Sequence, residues 1–486
     1  MIQSLHIFRK DARHLWLDLA LYTVLLICFG LVTPQVWEGA TVSNTLLQTF
    51  ATLLKTLIPI TWLVIIARLV HDESLVGDQQ FWITRPYTWT SLLGAKLFFL
   101  AICIILPFVA MQCFLLLHAG LNPAAAIPGQ LLSLLYFALI LWLPFTVVAS
   151  VTATLSRAFM SLLAALILWA GVLTILGSMA GPRMMPPFVF EACSILMGGL
   201  LMGILLYQYA VRNTARSRIA LVAISLLFLG LFFCFVGMYF SSAVDILIRH
   251  HYPVSTNKSL RLTFDARPPE YENLADGATA PAGLFTVNLP VHFEGLDPSA
   301  RLHDVNASFT IDLPGYHYAS PWRPVTVTER SLSLLIPQDI FNHVHGTDVR
   351  MHLTVVAQRL FPGKPQIVTV ANHFSVPNNG RCVFLTDHAG SNPVCRYPFQ
   401  SPPPTIITGA VATQSCERSG STRPGTATFR SISPGTSPDP VVHEPLQLGG
   451  TICPGTQLTF VEYHLVDNFR SEFDIPAIIL AHYTVH

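Results

Sequence analysis

The sequence predicts a helical membrane bundle of six to seven transmembrane helices, followed by an all-β, sandwich-like extracytoplasmic domain. Composition is the first observation, because 52% of the 486 residues are hydrophobic and only 11% are charged, against about 25% charged in soluble domains. The second is a contrast between halves, since residues 1–244 contain 10 prolines and residues 245–486 contain 25. These observations exclude a disordered chain, a coiled coil and an ordinary cytosolic enzyme. The formal net charge of +1 argues against a nucleic-acid-binding surface.

Seven stretches in the first half approach the length of about 20 apolar residues that a membrane-spanning helix needs. They are residues 15–32, 46–70, 92–118, 129–152, 159–179, 188–211 and 219–240. The first stretch resembles a signal peptide, but no small-residue cleavage site follows it, so we expect it to be retained. The transmembrane domain is therefore predicted over residues 15–240. Pro59, Pro107 and Pro144 lie inside spans and predict kinks.

Basic residues predict the orientation of the spans, because Lys and Arg concentrate in cytoplasmic loops. Arg9, Lys10 and Arg13 precede the first span, and Arg212, Arg216 and Arg218 lie between the last two. The connections between spans one and two and between spans three and four contain no basic residue. We expect a cytoplasmic N-terminus and, after seven crossings, an extracytoplasmic C-terminal domain.

Residues 1–16 have the pattern of a separate amphipathic helix. A stripe of apolar residues recurs at spacings of three and four, and the basic residues lie off it: Ile2, Leu5, Phe8, Ala12 and Leu15 against Arg9, Lys10 and Arg13. This pattern favours a helix in the membrane interface, with its cations on lipid phosphates. The alternative is a simple extension of the first span.

The segment between spans two and three, residues 68–96, is the most informative part of the first half. It combines acidic residues, aromatic residues and an Arg-Pro pair: Asp72, Glu73, Asp78, Phe81, Trp82, Arg85 and Pro86. Exposed aromatic residues ringed by charge are typical of a protein contact. The alternative is that Trp82 and Trp89 only anchor the chain at the membrane interface.

This segment resembles a known family. An N-terminal interfacial helix, two spans, an acidic turn, Phe-Trp-x-Thr-Arg-Pro at 81–86 and Leu-Leu-x-Ala-Lys at 92–96 resemble the permease subunit of ABC-2-type transporters, over about residues 1–218. The resemblance implies a bacterial inner-membrane exporter subunit that pairs as a homodimer or heterodimer. It also implies that about 72–82 form a coupling helix docking into an ATPase, with Arg85 and Pro86 closing it. The seventh span and the large external domain depart from the family pattern.

The chain lacks the nucleotide-binding motif that such a machine needs. Gly-x4-Gly-Lys-Ser/Thr does not occur, and the Gly363-Lys364 pair is followed by proline, so no phosphate-binding loop is predicted. ATP and Mg are therefore expected on a separate ATPase subunit, and this chain is expected to be a transport subunit, not an enzyme, without a cofactor of its own. The competing hypothesis is a non-transporting membrane sensor or envelope-assembly protein with an external binding domain.

Charged residues inside spans are costly and mark candidate functional sites. Lys55 lies nine residues into the second predicted span, and Glu191 lies near the outer end of the sixth. Lys55 is predicted to contact an anionic substrate in the inter-subunit cavity or to pair with Glu191. The alternative is a buried lysine bonded to carbonyl groups. Lys96 lies near the end of a span, where a long side chain can reach the interface.

The second half, residues 245–486, reads as one β-rich domain or two small sandwiches. Alternating runs between turn residues predict strands at 259–264, 284–293, 307–313, 325–335, 349–357, 366–376, 405–413, 426–432 and 457–466. The proline-rich stretch 433–440 is predicted to be a loop or linker. Four cysteines in an exported domain suggest disulfides, with Cys382–Cys395 and Cys416–Cys453 as the expected pairs and four free thiols as the alternative.

Histidines of this half do not predict a metal site. His250 and His251 are adjacent, and His343 and His345 would share one face of a strand, but spacing places no third ligand near them. Surface histidines are therefore expected. The chain has neither a Gly-x-Ser-x-Gly elbow nor a His-Glu-x-x-His motif, so no catalytic motif supports an enzyme.

Overall fold

A computed structural model describes residues 2–38, 45–72, 88–180, 187–236, 241–253, 261–265, 283–327, 331–371, 373–376, 380–383, 394–399, 405–411, 426–430, 438–445 and 455–484. The chain divides into two compact units. The first comprises Met1–Leu173, Pro187–Leu229 and Lys364–Glu462, and the second comprises Thr174–Pro186, Gly230–Gly363 and Tyr463–His486. The middle part of residues 245–486 thus belongs to the unit that holds most of the membrane helices.

The first half of the chain is helical. Its helices are α1 (Ile2–His14), α2 (Trp16–Glu38), α3 (Thr45–His71), α4 (Trp89–Phe99), α5 (Leu106–His118), α6 (Pro123–Phe137), α7 (Leu143–Val151), α8 (Leu155–Ala180), α9 (Pro187–Val211) and α10 (Thr214–Val236). Among the described residues, seven helical stretches are long and apolar enough to cross a membrane: Trp16–Trp37, Thr45–His71, Trp89–His118, Pro123–Val151, Leu155–Val172, Ala192–Val211 and Thr214–Leu231. All seven predicted spans are confirmed as long apolar helices, and the chain is a multi-pass membrane protein.

Spans three and four each contain a π-helical segment directly before a Leu-Pro-Phe sequence. Segment π1 (Leu100–Ile105) joins α4 to α5, and segment π2 (Ala138–Trp142) joins α6 to α7. Proline has no backbone N–H to continue an α-helix, and π turns are one way to accommodate the interruption. The Tyr22 hydroxyl donates to the Ile104 carbonyl at 2.9 Å inside π1. By contrast, α3 continues through Pro59.

An aromatic cluster fills the bundle between these segments. The Trp62 ring lies 5.2 Å from Phe108, 5.3 Å from Phe137 and 5.4 Å from Trp142, each edge to face, which is a favoured geometry for aromatic pairs. Trp62 is fully buried.

We call the bundle end that holds α1 and the α3–α4 connection the base. The opposite end, with the α2–α3 and α5–α6 connections, is the mouth.

The second unit contains most of the strands. They are β1 (Arg261–Phe264), β2 (Leu284–Leu289), β3 (Val291–Glu294), β4 (Arg301–Leu313), β5 (Tyr316–Ala319), β6 (Arg323–Pro324), β7 (Thr326–Val327), β8 (Leu332–Pro337) and β9 (Val349–Pro362), with helices α11 (Ser241–His251) and α12 (Gln338–Val344). Val287 and Leu334 from the β2–β8–β7 sheet share one core with Phe309, Leu353 and Phe469 from the β5–β4–β9–β17 ladder. Two antiparallel sheets over one core form a sandwich.

The remaining strands lie mostly in the first unit. They are β10 (Gln366–Thr369), β11 (His373–Val376), β12 (Gly380–Val383), β13 (Val394–Pro398), β14 (Thr405–Val411), β15 (Thr426–Arg430), β16 (Val441–Pro445) and β17 (Gln457–Ile478), which begins in the first unit and ends in the second. The four-stranded antiparallel sheet has the order β11–β12–β13–β16. Phe374 and Tyr397 of this sheet pack with Leu458 and Phe460 of β17. All nine predicted strand segments contain strands, whereas β5, β6, β12, β13 and β16 were not predicted.

Candidate functional site

At the base, most of the predicted coupling segment lies outside the described residues. This holds for Glu73, Asp78, Phe81, Trp82, Arg85 and Pro86, so their docking role stays a prediction. The described flanks are the end of α3 on one side and the start of α4 on the other. The structure therefore shows how the segment is held at its two ends.

The first flank, the end of α3, is fixed to two other helices. His71 Nε2 lies 3.0 Å from the Ala149 carbonyl oxygen and 3.3 Å from Thr152 Oγ1 at the end of α7. One residue later, the Asp72 carboxylate lies 3.2 Å from His14 Nε2 of α1. The chain therefore enters the 73–87 segment from a point held by α1 and α7.

The second flank, the start of α4, is fixed to the same helix α1. Thr88 caps α4 by accepting a hydrogen bond from the Ser91 backbone N–H, as Ser and Thr do at helix starts. The Ser4 hydroxyl donates to the Ser91 carbonyl at 3.2 Å. Two turns further, Lys96 Nζ lies 2.8 Å from Asp11 Oδ2, with side chains only 5% and 1% exposed. An ion pair this deeply buried is expensive to break, because either charge alone would be stranded in a low dielectric.

Helix α1 therefore bridges both flanks of the coupling segment. The buried face of α1 carries Ile7 and Asp11 and continues at Leu15, whereas Leu5 is 59% exposed. The face that packs on the bundle therefore includes Phe8, Ala12 and Leu15 of the predicted apolar stripe but not Leu5. The Lys96 side chain is buried at the end of its span, where it pairs with Asp11 of the predicted interfacial helix α1. The available signal was Asp11, the one acidic residue in the otherwise basic sequence of α1.

At the mouth, residues of the β-rich part reach into the bundle. Pro438, Pro440 and Val441 are buried, and Val441 belongs to the same apolar core as Trp37 and Leu54. We call residues 438–441 the mouth segment. The described end of the proline-rich stretch 433–440, residues 438–440, is neither helix nor strand, as predicted for a loop, and it packs against membrane helices.

Two side chains from the spans hold the mouth segment. Trp37 Nε1 donates to Asp439 Oδ2 at 3.3 Å, and Gln112 Nε2 donates to the Pro438 carbonyl at 3.4 Å. The Val441 backbone N–H donates to Asp439 Oδ1 at 3.0 Å. Gln112 is 1% exposed and Trp37 is 7% exposed, so these contacts are shielded from water.

Two cationic side chains and a histidine lie around this contact. The Arg396 guanidinium lies 5.5 Å from the Trp37 ring centre, and the His443 ring lies 5.1 Å from the same ring. Arg396 and His443 face each other across the β13–β16 ladder. Lys55 is half-buried in α3, near enough for its charge to act on both Asp439 and His443.

Burial and charge shift the titration of the two ionisable groups on the mouth side. Burial, reinforced by the Arg396 and Lys55 charges, lowers the pKa of His443 to about 4. The pKa of Asp439 is raised by burial, although the Val441 N–H, the Lys55 charge and the Trp37 N–H act in the opposite direction. His443 is therefore neutral at pH 7, while Lys55 and Arg396 supply positive charge.

The predicted partner of Lys55 was Glu191. The backbone of Glu191 lies in α9, but its side chain lies outside the described residues, so this pairing stays a prediction. The structure instead places Asp439 and His443 within electrostatic range of Lys55. Sequence reasoning missed both residues because they lie far from Lys55 in the chain, within a region that carries no motif.

A disulfide braces the sheet that carries the mouth segment. Cys382 and Cys395 are bonded and lie directly opposite each other on β12 and β13, which confirms the expected pairing. Cys416 and Cys453 lie outside the described residues. Arg381, beside Cys382, packs over Gly120 in the turn between spans three and four. Gly120 has φ +74°, a conformation that glycine adopts without strain.

No metal-ligand cluster of three or more His, Cys, Asp or Glu side chains occurs in the part of the chain that the structure describes. His343 lies in α12 beside the Tyr316 ring at 4.5 Å. His345 follows that helix and lies 3.0 Å from the Asn342 carbonyl oxygen. Because residues 338–344 form a helix, these two histidines do not share one face of a strand.

Comparison with protein-family models, with curated proteins and with solved structures finds no match for this chain.

Proposed function

We propose that this protein is the membrane-spanning permease subunit of an ABC-type exporter, driven by ATP that a separate ATPase subunit hydrolyses. It works in the bacterial inner membrane as a pair of permease subunits, identical or different. The N-terminus is cytoplasmic and the β-rich half is extracytoplasmic. The exported substrate is unidentified.

The observation that carries the proposal is the construction of the base. The two flanks of the 73–87 segment are joined through one helix, by the His14–Asp72 contact on one side and the Lys96–Asp11 ion pair on the other. A partner that moves this segment would therefore displace α1, α3 and α4 together. A coupling loop needs this property, since force must pass from the loop to the spans without being lost in bending.

The charge pattern supports the orientation. The exposed face of α1 carries Arg9 and Arg13, and Arg157 and Arg216 are exposed at the same end of the bundle. Basic residues favour the cytoplasmic face, where an ATPase has access to ATP. In this scheme, closure of the two ATPases pushes the base, rocks the spans and opens a path at the mouth.

Co-purification tests the proposal directly. The protein, expressed with its genomic neighbours, is expected to retain an ATPase in stoichiometric amount. The double variant Phe81→Ala, Trp82→Ala is expected to lose it, because an apolar anchor in a partner's groove supplies much of the binding energy. The matched control is Trp16→Ala, since Trp16 is 61% exposed at the base but lies outside the coupling segment.

The outcomes separate the two candidate functions. An ATPase that is lost only from the double variant supports the exporter. Purification without any ATPase overturns it and favours the non-transporting sensor or assembly protein. The observation that supports this alternative is the β-rich region, which is as long as the membrane half. Equal loss in Trp16→Ala would show that the coupling segment has no special role.

A further inference from the structure

The mouth segment occupies a place between the spans, although it belongs to the β-rich part of the chain. Val441 packs in the core of the helices, and the Pro438 carbonyl lies against Gln112 within α5. Pro438 and Pro440 are buried on either side of Asp439. The segment therefore fills space at the end of the bundle through which, in the proposed function, an exported molecule would leave.

Asp439 presents its carboxylate to groups that donate hydrogen bonds or carry positive charge. Trp37 Nε1, which can only donate, reaches Asp439 Oδ2 at 3.3 Å. The Lys55 charge acts on Asp439, and the Arg396 guanidinium lies 5.5 Å from the centre of the same Trp37 ring. The Gln112 amide donates to the adjacent carbonyl of Pro438, and its Oε1 atom has no hydrogen-bond partner within the described residues.

We infer that Trp37, Lys55 and Gln112 form a binding site for an anionic group, and that Asp439 occupies this site as an internal substitute. A ligand carboxylate or phosphate would take the place of the Asp439 carboxylate and receive the same hydrogen bond from Trp37. Because Asp439 and the ligand compete, binding must displace the mouth segment from the bundle. The site itself does not depend on the proposed function, but the identification of its ligand with the exported substrate does.

Two features of the site favour an anion over a neutral ligand. The Lys55 charge acts on Asp439, and a neutral ligand would leave this charge without the Asp439 carboxylate. Trp37 and Gln112 are almost fully buried, and charge-assisted hydrogen bonds are strongest where water is excluded. A neutral ligand would therefore lose the interaction that Asp439 now supplies.

Hydrogen–deuterium exchange of the full chain in nanodiscs tests this inference without an ATPase. The readout is exchange at two backbone amides, Val441, which donates to Asp439 Oδ1, and Phe399, which donates to the Pro440 carbonyl. Inorganic phosphate added to phosphatidylcholine nanodiscs probes a soluble anion. Nanodiscs that contain phosphatidylglycerol, without added phosphate, probe a lipid headgroup.

Phosphate or phosphatidylglycerol is expected to speed exchange at these amides, and the arm that does so identifies the source of the anion.

Asp439→Asn is expected to speed exchange by about tenfold before any anion is added, since a charge-assisted contact is lost. It is also expected to lower the phosphate or phosphatidylglycerol concentration needed for a response. Lys55→Gln is expected to abolish the anion response. Asp297→Asn is the control, because Asp297 bonds locally to Ser299 in the other unit.

Unchanged exchange with both anions, in the wild-type protein and in Asp439→Asn, would overturn the inference. So would an anion response that persists in Lys55→Gln. Exchange in β9 reports whether each variant is folded, and the wild-type titration stands even if a variant is not. Failure here would leave the co-purification result intact, so the two proposals can fail separately.

Discussion

The base and the mouth of the bundle are held together by different chemistry. At the base, charges from neighbouring helices pair with each other, as in the buried Lys96–Asp11 pair at 2.8 Å and the Arg68–Asp18 pair at 2.6 Å. At the mouth, side chains from the spans bind a segment of the β-rich part, through Trp37 and Gln112. The base is closed by residues of the membrane helices themselves. The mouth is closed by the mouth segment, which in our inference an anionic ligand displaces.

The contacts at the base and at the mouth also differ in how far apart their residues lie in the sequence. The pairs at the base join residues 85 and 50 positions apart, all within the first four helices. The contacts at the mouth join residues 402 and 326 positions apart. A rigid base beneath a replaceable closure is the arrangement expected of a device that is pushed at one end and opens at the other. The following predictions test whether the two ends differ in this way.

The largest effect is expected at the base. Asp11→Asn should destabilise the protein by about 3–5 kcal/mol, because it leaves the buried Lys96 charge without its carboxylate. Denaturant unfolding in detergent micelles measures the loss. Asp18→Asn provides the contrast, since its partner Arg68 is 41% exposed, and exposed ion pairs contribute about 0–1 kcal/mol.

A rescue experiment identifies the cause. Asp11→Leu combined with Lys96→Met should recover most of the stability, because apolar replacement of a whole buried ion pair is often neutral. If Asp11→Asn costs no more than Asp18→Asn, the base is not the rigid element described above.

The second effect concerns the brace beside the mouth. Replacing both Cys382 and Cys395 with serine should cost about 3 kcal/mol in local stability, by the chain-entropy relation for a loop of this length. Their sequence separation is 13. Hydrogen exchange in β12 and β13 measures the loss. Cys28→Ser and Cys103→Ser, which alter free thiols within spans, should leave that exchange unchanged, and equal effects would show that the bridge has no local role.

The third effect is a pH dependence confined to the mouth. Burial, with Arg396 and Lys55 nearby, holds the pKa of His443 at about 4, below the ordinary value of 6.5. A histidine with a depressed pKa in the folded state stabilises fully above pH 6.5, and this contribution is lost as pH falls toward 4. The raised pKa of Asp439 acts in the opposite direction at the acidic end of this range.

Exchange at the amides of β16, corrected for intrinsic rates, should therefore be about tenfold faster at pH 5 than at pH 7. His443→Gln should remove most of this dependence, because glutamine does not titrate. The base offers an internal comparison through the amides of α4. A pH response of equal size there, or one that survives in His443→Gln, would contradict the assignment to His443.

What could be predicted from the sequence depended on the range of the interaction. The seven spans follow from local apolar runs, and the Cys382–Cys395 pair follows from cysteines that are close in the chain. The burial of Asp11 and the exposure of Leu5 on α1 could not be predicted. They depend on the ion pair with Lys96, which lies 85 residues further along the chain. Asp439 had no local signal at all, since its role depends on Trp37, which lies at the other end of the chain.

The two π segments give the bundle a pair of joints. The halves of spans three and four nearest the base are anchored, α4 by Asp11 on α1 and α7 by the His71 contact with Ala149. Beyond π1 and π2, the halves α5 and α6 meet their anchored partners where backbone hydrogen bonding is already interrupted ahead of proline. Bending costs least at these points, and the Trp62 ring contacts aromatic rings of α5, α6 and π2. The two joints therefore separate the halves of these spans that are anchored at the base from the halves that contact the β-rich part, as Gln112 of α5 does at Pro438.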